Sequence, residues 1–359
     1  MAGRKAPPQP ANEVGDAMAA RLASGAVLEE EERFDRIFRP STLAEFVGQE
    51  QHKANLRVYV EAARRRKEPL DHILLCGPPG LGKTTLAYIL AKEMGAELFV
   101  TSGPAVEHKG VLTGLLTRVA RADILFIDEI HRLSAMVEEA LYPAIEDFRI
   151  DVMMGDGAYA ESIQLDIKPF TLVGATTRTG LLTKPLQERF GVTLRLDFYP
   201  VADLEKIVAR SAKLLEIECD KDGARALAER ARGTPRIANR LVRRVRDFAE
   251  VEGRGVIDRK IVDLACDRLG IDAAGLDEMD RRLLSILIDH YEGGPVGVET
   301  IAAALSEPRD TIEDVYEPYL LQQGYLGRTP RGRVATKKAY EHLSKVFSGK
   351  GSSNQGDLF

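Results

Sequence analysis

The segment 77–85, Gly-Pro-Pro-Gly-Leu-Gly-Lys-Thr-Thr, limits the possible folds of this chain more than any other segment. It fits the pattern G-x-x-x-x-G-K-[ST] of a phosphate-binding loop. The apolar residues 72–76 precede it as a strand would, and residues 86–94 follow it with a helical pattern. A strand, a glycine-rich loop and a helix in this order aim backbone N–H groups and a helix N-terminus at a phosphate. The segment therefore predicts an α/β domain that binds a nucleoside triphosphate.

Individual residues of this loop have predicted roles. Gly80 and Gly82 let the backbone curl closely around the phosphates, and Lys83 should reach the β- and γ-phosphates. The hydroxyl of Thr84 should ligate Mg²⁺. The loop thus predicts a metal-bound nucleotide as the ligand.

A second apolar run, beginning at Asp123, ends at two carboxylates, Asp128 and Glu129. We expect Asp128 to hold the Mg²⁺ shell and Glu129 to orient or deprotonate the attacking water. A helix N-cap Asp after a strand is common in isolation, but downstream of a phosphate loop the hydrolytic role is favoured. A further buried strand, 171–177, ends at Thr177, whose position predicts contact with the γ-phosphate or the attacking water.

The chain divides into segments of different periodicity. Strands alternate with helices up to residue 199, which predicts a parallel sheet in an α/β domain. From residue 200 the pattern is helical, and beyond 272 three helices precede a basic turn between short strands, which is typical of a winged-helix domain. The predicted parts are a disordered N-terminal extension (1–32), a large ATPase domain (33–199), a small all-α lid domain (200–271), a winged-helix domain (272–347) and a flexible tail (348–359).

Composition restricts the partners and the compartment. The formal net charge is −5, so any surface for nucleic acid must be local. Cys76, Cys219 and Cys266 lie far apart and form neither a disulfide framework nor a zinc pattern. No apolar run reaches the roughly 18 residues that cross a bilayer, and the N-terminus has no apolar signal core. We expect a cytoplasmic protein without a membrane segment.

The basic turn of the last domain favours DNA binding. Arg328, Arg331 and Arg333 lie on the predicted wing, and Arg309 lies at the start of the predicted recognition helix. Winged helices also bind proteins, so protein contact stays open as the alternative.

Residues 148–167 predict a β-hairpin that turns at 155–157. Ile150, Val152 and Met154 share one face because they alternate along a strand. The pattern leaves two interpretations open: this face docks a partner, or it packs on the core of the chain itself.

The order of these motifs resembles the AAA+ ATPases and, within them, the RuvB family of Holliday-junction motors. The likeness runs from about residue 34 to 347. The phosphate loop alone indicates only an NTPase, whereas three later segments are much more specific: 233–240, 307–313 and 328–333. The likeness also rests on 39–40, 46–49, 77–85, 125–133, 174–178 and 189–191.

The resemblance implies a nucleotide site that involves two domains and two subunits. Phe38 and Arg39 would pack on the adenine side, with Tyr199 near the base. Arg236 would be a second sensor, a cis arginine on the phosphates, and Arg189 an arginine finger that completes a neighbour's site in trans. The catalytic set is Lys83, Asp128, Glu129, Thr177, Arg189 and Arg236. The residues assigned to the nucleotide are Phe38, Arg39, Gly80, Gly82, Lys83, Thr84, Thr85, Glu146, Asp147, Phe148, Arg189, Tyr199 and Arg236.

The resemblance also implies the function and the partners. The chain would be an ATP- and Mg²⁺-dependent DNA translocase that, with RuvA, drives branch migration of Holliday junctions in homologous recombination and DNA repair. It would form a homohexamer, bind RuvA through the hairpin 148–167 and work with the RuvC resolvase complex. Arg309, Arg328 and Arg333 would contact phosphates of double-stranded DNA without base specificity.

Two departures from the family pattern bear on partner contact. Val111 stands where an Asp is expected, and Glu161 stands where a basic residue is expected. The alternative function is a clamp-loader subunit or a replication initiator, which would use ATP as an assembly switch. The basic wing and the long hairpin favour the translocase, and the intact catalytic set argues against a non-enzymatic winged-helix regulator.

Overall fold

The computed structural model describes residues 37–154 and 161–347. The predicted extension 1–32 and tail 348–359 lie outside these residues. Contacts divide the chain into a short unit, Met1–Arg39, and a long unit, Pro40–Phe359. In the short unit, Ile37 and Phe38 are helical. All elements below belong to the long unit.

Five parallel strands form the sheet of the large domain, in the spatial order β2-β3-β6-β1-β7. The strands of this domain in chain order are β1 Ile73–Cys76, β2 Leu98–Ser102, β3 Ile124–Asp128, β4 Arg149–Met154, β5 Glu161–Asp166, β6 Thr171–Thr176 and β7 Val192–Arg195. Its helices are α1 Glu50–Arg66, α2 Lys83–Met94, α3 Lys109–Leu116, α4 Ala135–Glu146 and α5 Lys184–Glu188.

The central strands are apolar because the sheet is covered on both faces. β1 and β6 are buried along their whole length, and β3 is buried up to Asp128. Along β1, Leu75 belongs to one apolar cluster and Leu74 to the cluster on the opposite face. Because neighbouring parallel strands end at the same edge, the ends of β3, β6 and β1 lie side by side. This edge therefore brings together the three segments predicted to act on the nucleotide.

The lid domain packs on the large domain through a shared core. One apolar cluster runs from α1 and α2 into the lid helices. The lid was predicted as all-α, but it also contains a short parallel strand pair between the helices. Its elements are α6 Val201–Leu214, β8 Glu218–Cys219, α7 Lys221–Arg230, α8 Pro235–Val251, β9 Val256–Ile257 and α9 Arg259–Arg268.

The last domain has its own apolar core and the expected winged-helix order. Its third helix is interrupted by a π-helical turn, Ile312–Tyr316. The elements are α10 Glu278–Tyr291, α11 Val298–Leu305, α12 Arg309–Thr311, α13 Glu317–Gln322, β10 Leu326–Thr329, β11 Gly332–Ala335 and α14 Lys337–His342. The predicted fold class, a phosphate-loop domain with a parallel sheet, a helical lid and a winged helix, is confirmed.

Strands β4 and β5 form the predicted hairpin, with Ile150 opposite Leu165 and Val152 opposite Ile163. Ile150 is only 1% exposed, and Val152 packs against the core of the large domain. Ile163 and Leu165 are instead 41% and 38% exposed. Ile150 and Val152 of β4 therefore pack on the chain itself, and the exposed apolar side chains described in this hairpin are those of Ile163 and Leu165 on β5. The turn at 155–157 and the side chains of Met154 and Glu161 lie outside the part that is described.

No helix within the described ranges is both long enough and apolar enough to span a bilayer.

Candidate functional site

The phosphate loop folds tightly around glycines with positive φ. Gly80 has φ 80° and Gly82 has φ 98°, conformations that side chains rarely adopt. A Cβ on Gly80 would lie 3.1 Å from Cβ of Arg236, and one on Gly82 would lie 3.0 Å from the ring of Phe46. The loop therefore needs glycine both for its conformation and for the close approach of the lid and of Phe46.

Lys83 is buried at the start of α2, where its Nζ donates to the carbonyl oxygens of Gly77 (2.7 Å) and Pro78 (2.9 Å). Burial lowers the pKa of its ammonium group, and the charges of Asp128 and Glu129 oppose this effect. Gly82 precedes the helix, and within the described residues no side chain caps its first turn. The N–H groups of that turn, which include Thr84 and Thr85, therefore suit an anionic ligand.

The two acidic residues after β3 are held in a fixed arrangement. Oδ1 of Asp128 accepts a hydrogen bond from the backbone N–H of Glu129 (2.9 Å). Glu129 has φ 50°, an uncommon left-handed conformation for a residue with a side chain. Burial and then the neighbouring charge of Asp128 raise the pKa of the Glu129 carboxyl group, and Lys83 opposes them. A carboxylate with a raised pKa is a better proton acceptor.

Thr177 follows β6, between the ends of β1 and β3. Its Oγ1 is buried and has no hydrogen-bond partner among the described residues. A buried hydroxyl of this kind fits a role that depends on a bound polar group.

The lid approaches the loop through the start of α8. The backbone N–H of Arg236 donates to the carbonyl oxygen of Gly80 (3.4 Å). The buried Tyr199 donates from its hydroxyl to the carbonyl oxygen of Leu81 (3.3 Å). Residues on both sides of the domain boundary thus lie directly against the phosphate loop.

The residues present fit a magnesium nucleotide. The described residues contain no group of three or more His, Cys, Asp or Glu side chains that could hold a metal ion alone. Mg²⁺ commonly uses one or two protein ligands, substrate phosphates and waters. Thr84 and Asp128, with the open helix N-terminus and the unpartnered Thr177 hydroxyl, match that requirement.

Three family models match the chain in sequence order. The model for the Holliday junction DNA helicase RuvB P-loop domain matches residues 38–196. The RuvB AAA lid domain matches residues 199–272, and the RuvB C-terminal winged helix domain matches residues 273–344.

The chain belongs to the RuvB family.

Solved structures of the family are similar over most of the chain. A Thermotoga maritima RuvB structure described as a Holliday junction branch migration motor is 51% identical, with a TM-score of 0.80. The match covers 86% of this chain and 99% of that chain. A single-substitution variant of the same RuvB is 52% identical over 86% of this chain and 98% of that chain, with a TM-score of 0.81. The chain is therefore an AAA+ ATPase of the RuvB family that binds nucleotide with Mg²⁺.

The residue that the RuvB resemblance assigns as arginine finger contacts side chains of α4. Nη2 of Arg189 lies 3.1 Å from Oε1 of Glu146, and its guanidinium lies over the ring of Tyr142, 4.2 Å from the centroid. Glu146 and Asp147 are exposed at the end of α4, whereas Phe148 packs against Phe170. Phe38 and Arg39 belong to the short unit, where Phe38 ends the helical segment.

The winged-helix domain exposes two of the three arginines that were predicted to contact DNA. Arg309 and Arg328 are more than half exposed at their side chains. Arg333 is buried. Its Nε donates a hydrogen bond to Glu317 (2.5 Å), and its Nη2 donates one to Glu313 (3.0 Å). The expectation that Arg333 faces DNA is therefore corrected: in this structure its guanidinium is used inside the winged-helix domain.

Sequence reasoning gave no role to Arg178, which follows Thr177, or to His131. Arg178 forms ion pairs with Asp310 and Asp314 of the winged-helix domain. One signal was available in the sequence: Asp310, Glu313 and Asp314 are spaced i, i+3, i+4, so they share a helix face. Such a face needs a cationic partner, but the partner could not be identified without the fold.

Proposed function

We propose that this chain is the ATP-driven motor that moves duplex DNA during branch migration of Holliday junctions in homologous recombination and DNA repair. The observation that supports it is that one chain matches all three RuvB domain models. The residues assigned to hydrolysis follow neighbouring strands at one edge of the sheet. A clamp-loader or initiator function lacks a comparable observation.

The proposed chemistry uses residues of one subunit for binding and for proton transfer. Lys83 binds the β- and γ-phosphates, and Thr84 and Asp128 hold the metal. Bound Mg²⁺ would compensate the charge of the phosphate oxygens. Glu129 orients the attacking water and accepts its proton, because burial favours its protonated form. The hydroxyl of Thr177 positions the water or the γ-phosphate.

Nucleotide state is proposed to reach the lid through the start of α8. Because the backbone of Arg236 already contacts Gly80, a side chain that follows the γ-phosphate would rotate the lid against the large domain. Phe38, Arg39 and Tyr199 are each proposed to contact the adenine.

The nucleotide site is proposed to be completed by the next subunit of a homohexamer. Arg189, Glu146 and Asp147 form the group that faces the neighbour's nucleotide, with Phe148 behind them. A trans arginine stabilises charge on the γ-phosphoryl oxygens and is worth roughly 10³-fold or more in rate. Hydrolysis would then require the ring.

The winged-helix domain is proposed to bind the DNA. Arg309 and Arg328 contact phosphates, so binding is independent of base sequence and weakens with salt. Arg333 supports the wing from inside through Glu313 and Glu317. Phosphate contacts by two exposed arginines are compatible with a chain whose net charge is −5, because the DNA surface is then local.

The hairpin is proposed to bind RuvA through its exposed strand. Ile163 and Leu165 are apolar and exposed on β5, which is typical of a protein contact site. The RuvC resolvase complex would act on the same junction, and the assembly would be cytoplasmic.

A branch-migration assay on a synthetic four-way junction tests this function. We expect strand exchange that needs ATP and Mg²⁺ and that accelerates when RuvA is added. The variant Glu129→Gln should bind nucleotide but move no junction. DNA-stimulated ATP hydrolysis without junction movement, with RuvA present, would instead indicate a switch ATPase of the clamp-loader or initiator type.

A further inference from the structure

Arg178 connects the edge of the nucleotide site to the winged-helix domain. Its Nε donates to Oδ1 of Asp314 (2.7 Å) and its Nη2 donates to Oδ2 of the same carboxylate (2.8 Å). Nη2 also donates to Oδ1 of Asp310 (3.0 Å). A two-point pair of this kind fixes the orientation of both groups as well as their distance. The side chains of Arg178 and Asp314 are 23% and 31% exposed, so this ion pair is partly shielded from water, whereas Asp310 is 77% exposed.

From Arg178 a chain of contacts runs inward to the catalytic glutamate. The backbone N–H of Arg178 donates to Oγ1 of Thr176 (3.0 Å). Oγ1 of Thr176 lies 2.9 Å from Nδ1 of His131, and Nε2 of His131 lies 3.2 Å from Oε2 of Glu129. Each step joins groups that are buried or half-buried.

One arrangement of protons satisfies every member of this chain of contacts. Thr176 accepts from the N–H of Arg178 and donates its hydroxyl proton to Nδ1 of His131. The neutral imidazole then donates from Nε2 to Glu129. Burial, and next the charge of Arg178, lower the pKa of His131, which favours the neutral ring that this arrangement requires.

The other end of the contact is a helical turn of the winged-helix domain that also pairs with two arginines of that domain. Glu313, between Asp310 and Asp314, accepts hydrogen bonds from Arg309 (3.3 Å) and Arg333 (3.0 Å). Burial alone would raise the pKa of Glu313, but the bonds from these arginines outweigh it and lower the pKa. One helical turn of anionic side chains therefore contacts Arg309 and Arg333 of its own domain as well as Arg178.

We propose that Arg178 is a positioning residue for ATP hydrolysis. Held by Asp310 and Asp314 of the winged-helix domain, it fixes Glu129 through Thr176 and His131, so the catalytic rate depends on how the winged helix is seated. The inference rests on the proposed role of Glu129. When the contact is broken, the segment 176–178 and the imidazole lose their fixed position, and the carboxylate is no longer aimed at the water.

The test variant is Asp310→Asn with Asp314→Asn in the full-length chain, assayed for steady-state hydrolysis with Mg-ATP and duplex DNA. A misplaced catalytic group lowers kcat, and we expect a fall of roughly 10-fold to 100-fold. KM for ATP should stay unchanged, because neither residue contacts the nucleotide. The matched control is Asp289→Asn with Glu341→Gln, which removes two acids of the same domain that pair with Lys345 and Lys337. This control should retain the wild-type kcat.

Exchanging the charges of Arg178 and Asp314 distinguishes a positioning role of this ion pair from a loss of structure. Arg178→Glu and Asp314→Arg should each lower kcat, and the chain that carries both should regain a substantial part of it. Thermal unfolding and nucleotide affinity show that each variant is folded. If Asp310→Asn/Asp314→Asn keeps the wild-type kcat and only its unfolding temperature falls, the proposal is overturned. The contacts of Arg178 with the two aspartates would then serve stability alone.

The same experiment distinguishes this inference from the proposed function. If Glu129→Gln hydrolyses ATP as fast as the wild type, the assigned role of Glu129 is wrong. If Glu129→Gln is inactive while the Asp310 and Asp314 variants are normal, the positioning role alone is wrong.

Discussion

Lys83 keeps its position because two carbonyl oxygens of its own loop accept hydrogen bonds from it. Lys83→Ala removes the charge that this loop directs to the nucleotide, so we expect kcat for ATP hydrolysis to fall by roughly 10²-fold or more. The measurement is steady-state phosphate release. Lys92→Ala, on the exposed end of the same helix, is the control and should hydrolyse normally. Near-normal hydrolysis by Lys83→Ala would contradict the site assignment.

His72 stabilises the large domain only in its neutral form. Its Nδ1 accepts from the N–H of Leu172 (2.8 Å), and its Nε2 donates to the carbonyl oxygen of Ile145 (3.0 Å). Burial lowers its pKa below the ordinary value of 6.5, although the bond to Ile145 and the charge of Asp71 oppose this. Protonation would turn Nδ1 into a donor that faces another donor.

The unfolded state therefore binds the proton of His72 more readily than the folded state. Between the lowered folded pKa and the unfolded value, the free energy of unfolding must rise with pH and be lost as pH falls. We expect urea denaturation at pH 7.5 and pH 5.5 to show a smaller difference in His72→Gln than in the wild type. The same substitution at the exposed His290 is the matched control. If the difference in the free energy of unfolding between the two pH values is the same in His72→Gln as in the wild type, other groups cause the pH dependence.

Residue identity predicts a role when the role depends on local sequence. Gly80, Gly82 and Lys83 belong to one loop, so the local pattern was sufficient to predict the tight loop conformation that the structure has. Arg333 was assigned to DNA because its neighbours are basic, but two carboxylates on the preceding helix bury it. The contacts of Arg178 were not predictable because Asp314 lies 136 residues away and meets it only when two domains pack together.

At the scale of the element, periodicity predicts that a strand has an apolar face but does not show what covers that face. The alternation in β4 correctly indicated a strand with one apolar face. Ile150 and Leu165 are paired and therefore lie on the same face, so which strand of that face is covered by the core depends on tertiary packing. The structure places Ile150 inside and leaves Leu165, directly opposite, partly open.

This difference between the two strands predicts different effects of the same truncation. Ile150→Ala should reduce the free energy of unfolding by roughly 2–5 kcal/mol because a buried side chain leaves a cavity. Leu165→Ala should change it little, but should weaken RuvA binding if β5 is the contact surface. Urea denaturation and a pull-down with RuvA measure the two quantities. Equal destabilisation by both variants would mean that β5 is also buried.

At the scale of the molecule, the three domains were predictable because each has its own periodicity. Their contacts follow from packing: an apolar core joins the lid to the large domain, and one arginine joins the winged helix to the edge of the sheet. Among the residues assigned to the nucleotide, one group contacts the phosphate loop around Lys83, and another contacts α4 around Arg189. Two such groups suit a ring in which each site combines the loop of one subunit with the finger of the next.

Mixing inactive variants tests whether sites are shared in this way. Lys83→Ala and Arg189→Ala should each be inactive alone, since one lacks the loop charge and the other the finger. In a randomly mixed ring of equal parts, about one interface in four pairs an intact loop with an intact finger. Phosphate release should therefore recover to a fraction of the wild-type rate.

The control for this experiment is the chain that carries both substitutions, mixed with Arg189→Ala. No interface in that ring has an intact finger, so no recovery is expected. Subunit exchange is verified by fluorescence transfer between labelled chains. If the first mixture stays inactive while exchange is complete, Arg189 serves the loop of its own subunit, and its contacts with Glu146 and Tyr142 then hold it in place for that role.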